Sequence, residues 1–169
     1  MLKRIVRNLV SRVAPSVVAA PGLARLLAER RKAAGQTPLG RDLSILHIAA
    51  GSCNGCELEL HATQSLIYGL EQYGLRFTTS PRAADILLLT GVANLNMREA
   101  VLQARAAMAD PVFVVALGDC AIDGGVFKGA PAVAGGVSAY LPVDLVIAGC
   151  APTPDQVIQG LLALVEAQL

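Results

Sequence analysis

LSILHIAAGSCNGCELEL, residues Leu43–Leu60, is the stretch on which the fold turns. Its first seven residues form a near-continuous apolar run, as in a strand covered on both faces. The glycine-punctuated centre carries Cys53 and Cys56, and from Glu57 the pattern becomes helical. A strand passing through a glycine turn into a helix is the opening of a βαβ unit.

Outward from this stretch the same alternation recurs. Strands are expected at Leu43–Ala49, Leu75–Thr79, Asp85–Thr90, Val112–Leu117 and Leu145–Ala148, with helices at Glu57–Tyr73, Asn96–Ala109 and Pro154–Gln168. The last helix has a legible start: Thr153 as N-cap, Pro154 in the first helical position, and Gln156 placed to close a capping box. Runs such as ILLL and VFVVAL suit a parallel sheet with helices on each side, so the expected class is an α/β doubly wound parallel sheet. A length of 169 residues, 54% of them hydrophobic, allows one domain with a full core.

The net charge of +1 conceals an asymmetry. Residues 1–41 hold nine Lys or Arg against the single acid Glu29, whereas 42–169 hold five basic and twelve acidic residues. A basic N-terminal extension (1–41) therefore precedes an acidic domain (42–169), which excludes a nucleic-acid role for the domain. In the extension, Leu2–Val13 and Leu23–Ala34 read as basic amphipathic helical pieces suited to a membrane surface or a partner subunit, or as a solvated arm. The apolar segment Val13–Leu23 is broken by Pro15 and Pro21, unlike an export signal. No run of about eighteen apolar residues occurs to span a bilayer.

The cysteines carry the chemistry. Cys53 and Cys56 follow the first strand, Cys120 follows Val112–Leu117, and Cys150 follows Leu145–Ala148. In an open parallel sheet all these strand ends lie on one edge, where such folds build their sites. Glycines adjoin each of them: Gly51 and Gly55, Gly118 with Gly124 and Gly125, and Gly149. Glycine lets backbone approach a bulky inorganic core closely. Four thiolates on one rim match an all-cysteine iron–sulfur centre. A zinc site of four cysteines would ordinarily use two CxxC knuckles, and a thioredoxin-type pair would leave Cys120 and Cys150 without a role. Inert core cysteines would have to fall at three strand ends by coincidence. His47 in a strand and His61 in a helix read as structural, and neither a phosphate loop nor a Ser-His-Asp set is present.

Four segments together resemble a known family: GSCNGCELE (Gly51–Glu59), SPRAADILLLTG (Ser80–Gly91), GDCAIDGGVF (Gly118–Phe127) and PVDLVIAGCAPTP (Pro142–Pro154). They are similar to the small subunit of membrane-bound [NiFe] hydrogenases of the formate-hydrogenlyase and energy-converting type, over residues 40–169. These subunits are related in turn to the B-type subunit of NADH:quinone oxidoreductase, which has adjacent cysteines in place of Cys53-x-x-Cys56. The resemblance implies a flavodoxin-like core and an oxidoreductase subunit whose Cys53, Cys56, Cys120 and Cys150 ligate one [4Fe-4S] cluster. That cluster would lie nearest a nickel-iron site held by the hydrogenase large subunit. It further implies a ferredoxin-like iron–sulfur subunit and membrane anchor subunits as partners, and a peripheral position on the cytoplasmic side of the inner membrane. Glu59, and after it Glu57, are the acids it suggests for proton transfer, against a reading of both as first-turn residues favoured by the helix dipole. The alternatives are the corresponding subunit of a quinone-reducing respiratory complex, with a quinone pocket at the interface with the large subunit and Asn94–Arg98 as the segment to examine for it, and a zinc-bound or metal-free flavodoxin-like interaction module. Cys150-Ala-Pro departs from the Cys-Pro-Pro common in both groups.

Overall fold

The computed structural model describes Val17–Ala19 and residues 42–166. The amphipathic pieces expected at Leu2–Val13 and Leu23–Ala34 lie outside the described residues. Six strands, β1 (Val17–Ala19), β2 (Leu43–Ala49), β3 (Leu75–Phe77), β4 (Ile86–Thr90), β5 (Phe113–Leu117) and β6 (Leu145–Ile147), form one sheet in the order β1-β6-β5-β4-β2-β3. β2 to β6 are parallel throughout. Their order is the flavodoxin-like one, in which the chain moves outward from β2 to β3 and then returns to the other side at β4. β1 pairs antiparallel with β6, Val18 opposite Val146, so the N-terminal extension contributes an edge strand between Pro15 and Pro21.

Among the described residues four helices complete the wrapping: α1 (Gly55–Thr63), α2 (Arg98–Ala107), α3 (Asp119–Asp123) and α4 (Pro154–Glu166). Strand residues alternate between two cores. Ile45, Ile86, Leu88, Val115, Leu117 and Ile147 bury one face with Leu60 of α1 and Leu161 of α4. Leu46, Leu87, Leu89, Val114 and Ala116 bury the other with Val101 of α2 and Ala121 of α3. This period of two on strands buried from both sides is why ILLL and VFVVAL lack a polar face.

The helix expected at Glu57–Tyr73 ends early, at Thr63. A 3-10 turn, Leu70–Tyr73, follows, entered at Gly69 with φ 53° and left at Gly74 with φ 73°. These left-handed residues cannot continue an α-helix, and they turn Leu70 into the core while Leu66 and Ile67 remain exposed. The expected capping box is present: Thr153 N–H donates to Gln156 Oε1 at 2.9 Å, and Gln156 N–H to Thr153 Oγ1 at 3.4 Å.

Candidate metal centre

The register of the sheet brings the cysteines to one edge. Ala49, Thr90, Leu117 and Ile147 form a single row across β2, β4, β5 and β6. Cys53, Cys120 and Cys150 each follow a member of that row within four residues, at the carboxyl end of its strand. The Cys53–Cys56 loop sits at the switch point between β2 and β4, where ligands of open α/β sheets bind.

Backbone hydrogen bonds lace these loops together. The Cys120 loop is tied to the Cys150 loop: Asp119 N–H donates to the Gly149 carbonyl at 3.0 Å, and Gly149 N–H donates to Asp119 Oδ1 at 2.8 Å. On the other side, Val92 N–H donates to the Gly51 carbonyl at 3.2 Å. Gly91, at φ +78°, lies so close to this loop that a Cβ there would stand 2.5 Å from the Gly51 carbonyl carbon and the Ser52 nitrogen.

Sulfurs and glycines interleave. A Cβ on Gly118 would lie 2.6 Å from the Cys56 sulfur, and one on Gly125 would lie 3.0 Å from that of Cys120. The cradle is thus open only because side chains are missing from it, which fits a bulky group held by thiolates. Between Cys120 and Cys150 lies a cleft of about 460 Å³, lined also by Asp119, Ile122, Asp123 and Val126.

The four thiols share one electrostatic environment. Burial pushes the Cys56 thiol up to about 12, with Glu57, Cys120, Cys53 and Cys150 adding to the shift. Burial also raises Cys120, helped by Cys150, Cys53 and Asp119 and opposed by the Val126 amide. Yet among the described residues no three His, Cys, Asp or Glu side chains gather as ligands of one metal ion.

Behind the first loop lies a polar network that the sequence did not disclose. Buried Glu57 accepts from Ser52 Oγ at 2.6 Å and from the Thr90 hydroxyl, and His47 Nε2 lies 2.9 Å from Thr90 Oγ1. Glu57 Oε2 is buried without a hydrogen-bond partner among the described residues. Glu59 is half-buried on the flank of α1. Thr90 closing an otherwise apolar strand was the available signal, but its partners depend on strand register.

These features define a class: an open, doubly wound α/β protein whose four cysteines converge at the switch edge of the sheet. Within that class the chain belongs to the family of the NADH ubiquinone oxidoreductase 20 Kd subunit, which it matches over residues 53–164. It is 38% identical to formate hydrogenlyase subunit 7 of Escherichia coli over 76% of its own length, but spans only 52% of that relative. It is 35% identical to the protein named "Probable membrane-bound hydrogenase subunit mbhJ" of Pyrococcus furiosus, covering 76% of this chain and 77% of that one. A solved structure of a membrane-bound sulfane sulfur reductase, an archaeal respiratory membrane complex, superposes with a TM-score of 0.67 at 29% identity, covering 86% of this chain and 75% of that chain.

Proposed function

We propose that the chain is the electron-transfer subunit of a membrane-bound hydrogenase complex, holding one [4Fe-4S] cluster on Cys53, Cys56, Cys120 and Cys150. The observation that carries this reading is the convergence of four thiols from three distant segments on a glycine-lined edge. Such a cluster supplies one-electron transfer. The chain itself fixes the four ligands on rigid strand ends and, through Gly118 and Gly125, keeps side chains out of the space the cluster needs.

Cys53 and Cys150 are exposed, which suits electron exchange with partner subunits packed over this edge. The hydrogenase large subunit, a ferredoxin-like subunit and membrane anchor subunits are the proposed partners, with the chain peripheral on the cytoplasmic side. No helix among the described residues is long and apolar enough to cross a membrane. Glu59, half-buried on the flank of α1, is the acid we assign to proton exchange with a neighbour; Glu57 is engaged internally.

Anaerobically isolated complex is expected to yield about four iron and four sulfide per copy of this chain beyond those of other subunits, with a paramagnetic signal on reduction. Replacing Cys120 or Cys150 with Ser should remove that increment. An unchanged iron count in these variants would end the cluster reading. The structural likeness to the sulfane sulfur reductase supports a second reading, a respiratory complex that turns over no hydrogen. Nickel in the isolated complex together with hydrogen turnover selects the first; a nickel-free complex selects the second.

A further inference from the structure

We infer that His47 is a positioning residue for the Cys53–Cys56 pair, acting through Thr90 and Glu57 as the Nε2–H tautomer. The inference rests on the cluster reading above. Its warrant is the direction of the hydrogen-bond chain. The hydroxyls of Ser52 and Thr90 both donate to Glu57 Oε1, and an ionised carboxylate can only accept. Thr90 has one hydroxyl proton and gives it to Glu57, so its bond with His47 at 2.9 Å must be donated by the imidazole. That assigns the proton to Nε2.

The chain spans the whole approach to the metal centre. His47 stands on β2 and Thr90 on β4, the two strands flanking the switch point, while Glu57 follows Cys56 and Ser52 precedes Cys53. Both ends of the ligand pair are therefore pinned to one carboxylate, and the carboxylate is pinned to the sheet by the Thr90 hydroxyl that His47 orients. Groups that fix the chain on either side of metal ligands orient those ligands and tune the metal. His47 also lines a groove of about 680 Å³ with Glu57, His61 and Gln64, so the brace is reached from the surface rather than sealed in the core.

The test uses the intact complex, four single variants and one double variant. Gln carries an N–H donor where Nε2 of histidine lies, whereas Asn carries one where Nδ1 lies. With His47→Gln, the paramagnetic spectrum of the reduced cluster and its midpoint potential should match wild type. With His47→Asn, His47→Phe and the near-isosteric Thr90→Val, the spectrum should shift, and the chelator concentration that strips half the iron should fall about tenfold. Combining Thr90→Val with His47→Asn should add little, because both break one chain. A loaded wild type alongside Asn and Thr90→Val variants of unchanged spectrum and chelator resistance overturns the inference alone, as does failure of Gln to restore what Asn loses. A wild type without the cluster ends the underlying reading instead. If His47→Phe does not assemble, the Asn and Thr90→Val variants decide.

Discussion

At Glu57 two opposing effects meet. Burial drives the carboxyl toward its neutral form, but hydrogen bonds from Ser52 and Thr90, its own backbone amide and the field of His47 outweigh it and hold the pKa below the ordinary carboxylate value. Glu57→Ala would strand two hydroxyls at the end of β2 and β4, and we expect a loss of about 2–3 kcal/mol in a denaturant titration. His47 is shifted in the sense that keeps it neutral: burial lowers its pKa, Glu57 raises it less, and His61 lowers it further. Both groups have depressed folded-state pKa values, so both contribute stability that is complete at high pH and lost in acid. For His47 the loss begins as pH falls below about 6.5, the unfolded value, and for Glu57 below about 4.3. Melting temperature followed from pH 8 to pH 2.5 should therefore decline first near pH 6.5, and His47→Gln should remove that first decline while leaving the lower one. A His47→Gln profile identical to wild type above pH 5 would contradict this account.

Among the elements, the loop between β2 and α1 is held by contact as much as by hydrogen bonds. Gly91 is the narrowest point, since a Cβ there meets backbone of Gly51 and Ser52, which cannot swing aside as a side chain would, and φ is positive besides. Gly91→Ala should cost about 2–3 kcal/mol and displace the Cys53–Cys56 loop, visible as reduced iron content at a temperature where the chain remains folded. Thr153→Ala removes the side-chain half of the capping box of α4 and should cost about 1 kcal/mol, without affecting iron. The contrast explains what the sequence could reveal. The capping box is local, so Thr153 and Gln156 were readable by their spacing; likewise the cysteines, because strand ends share an edge whatever the details. The Ser52–Glu57–Thr90–His47 chain was not readable, because it requires Ala49 to pair with Thr90 rather than a neighbour. The expected length of the first helix failed for a different reason. The apolar pattern runs on to Tyr73, but the helix stops at Thr63, and the left-handed Gly69 and Gly74 confine Leu70–Tyr73 to a separate 3-10 turn.

At the scale of the whole molecule, the apparent division between extension and domain is softened by β1. Three residues with no periodicity of their own, flanked by prolines, gave no strand signal, yet Val17–Ala19 adds to the open edge of β6. The strand is antiparallel and terminal, so the five parallel strands that carry the cysteines do not depend on it for their register. It does cover the edge next to Cys150, because Ile147, paired with Val17, leads directly into that loop. A chain beginning at Asp42 should therefore fold with the same sheet but lose the few hydrogen bonds of this pairing, about 1–3 kcal/mol. Its exposed β6 edge should raise its tendency to self-associate. In the isolated complex the truncated chain should keep its iron. Membrane retention should weaken as salt rises if the basic residues of 1–41 meet an anionic surface, and removing that net charge of +8 should abolish the salt dependence. Loss of iron on truncation, with the sheet intact by circular dichroism, would mean instead that β1 is part of the metal centre and that the extension is not separable from the domain.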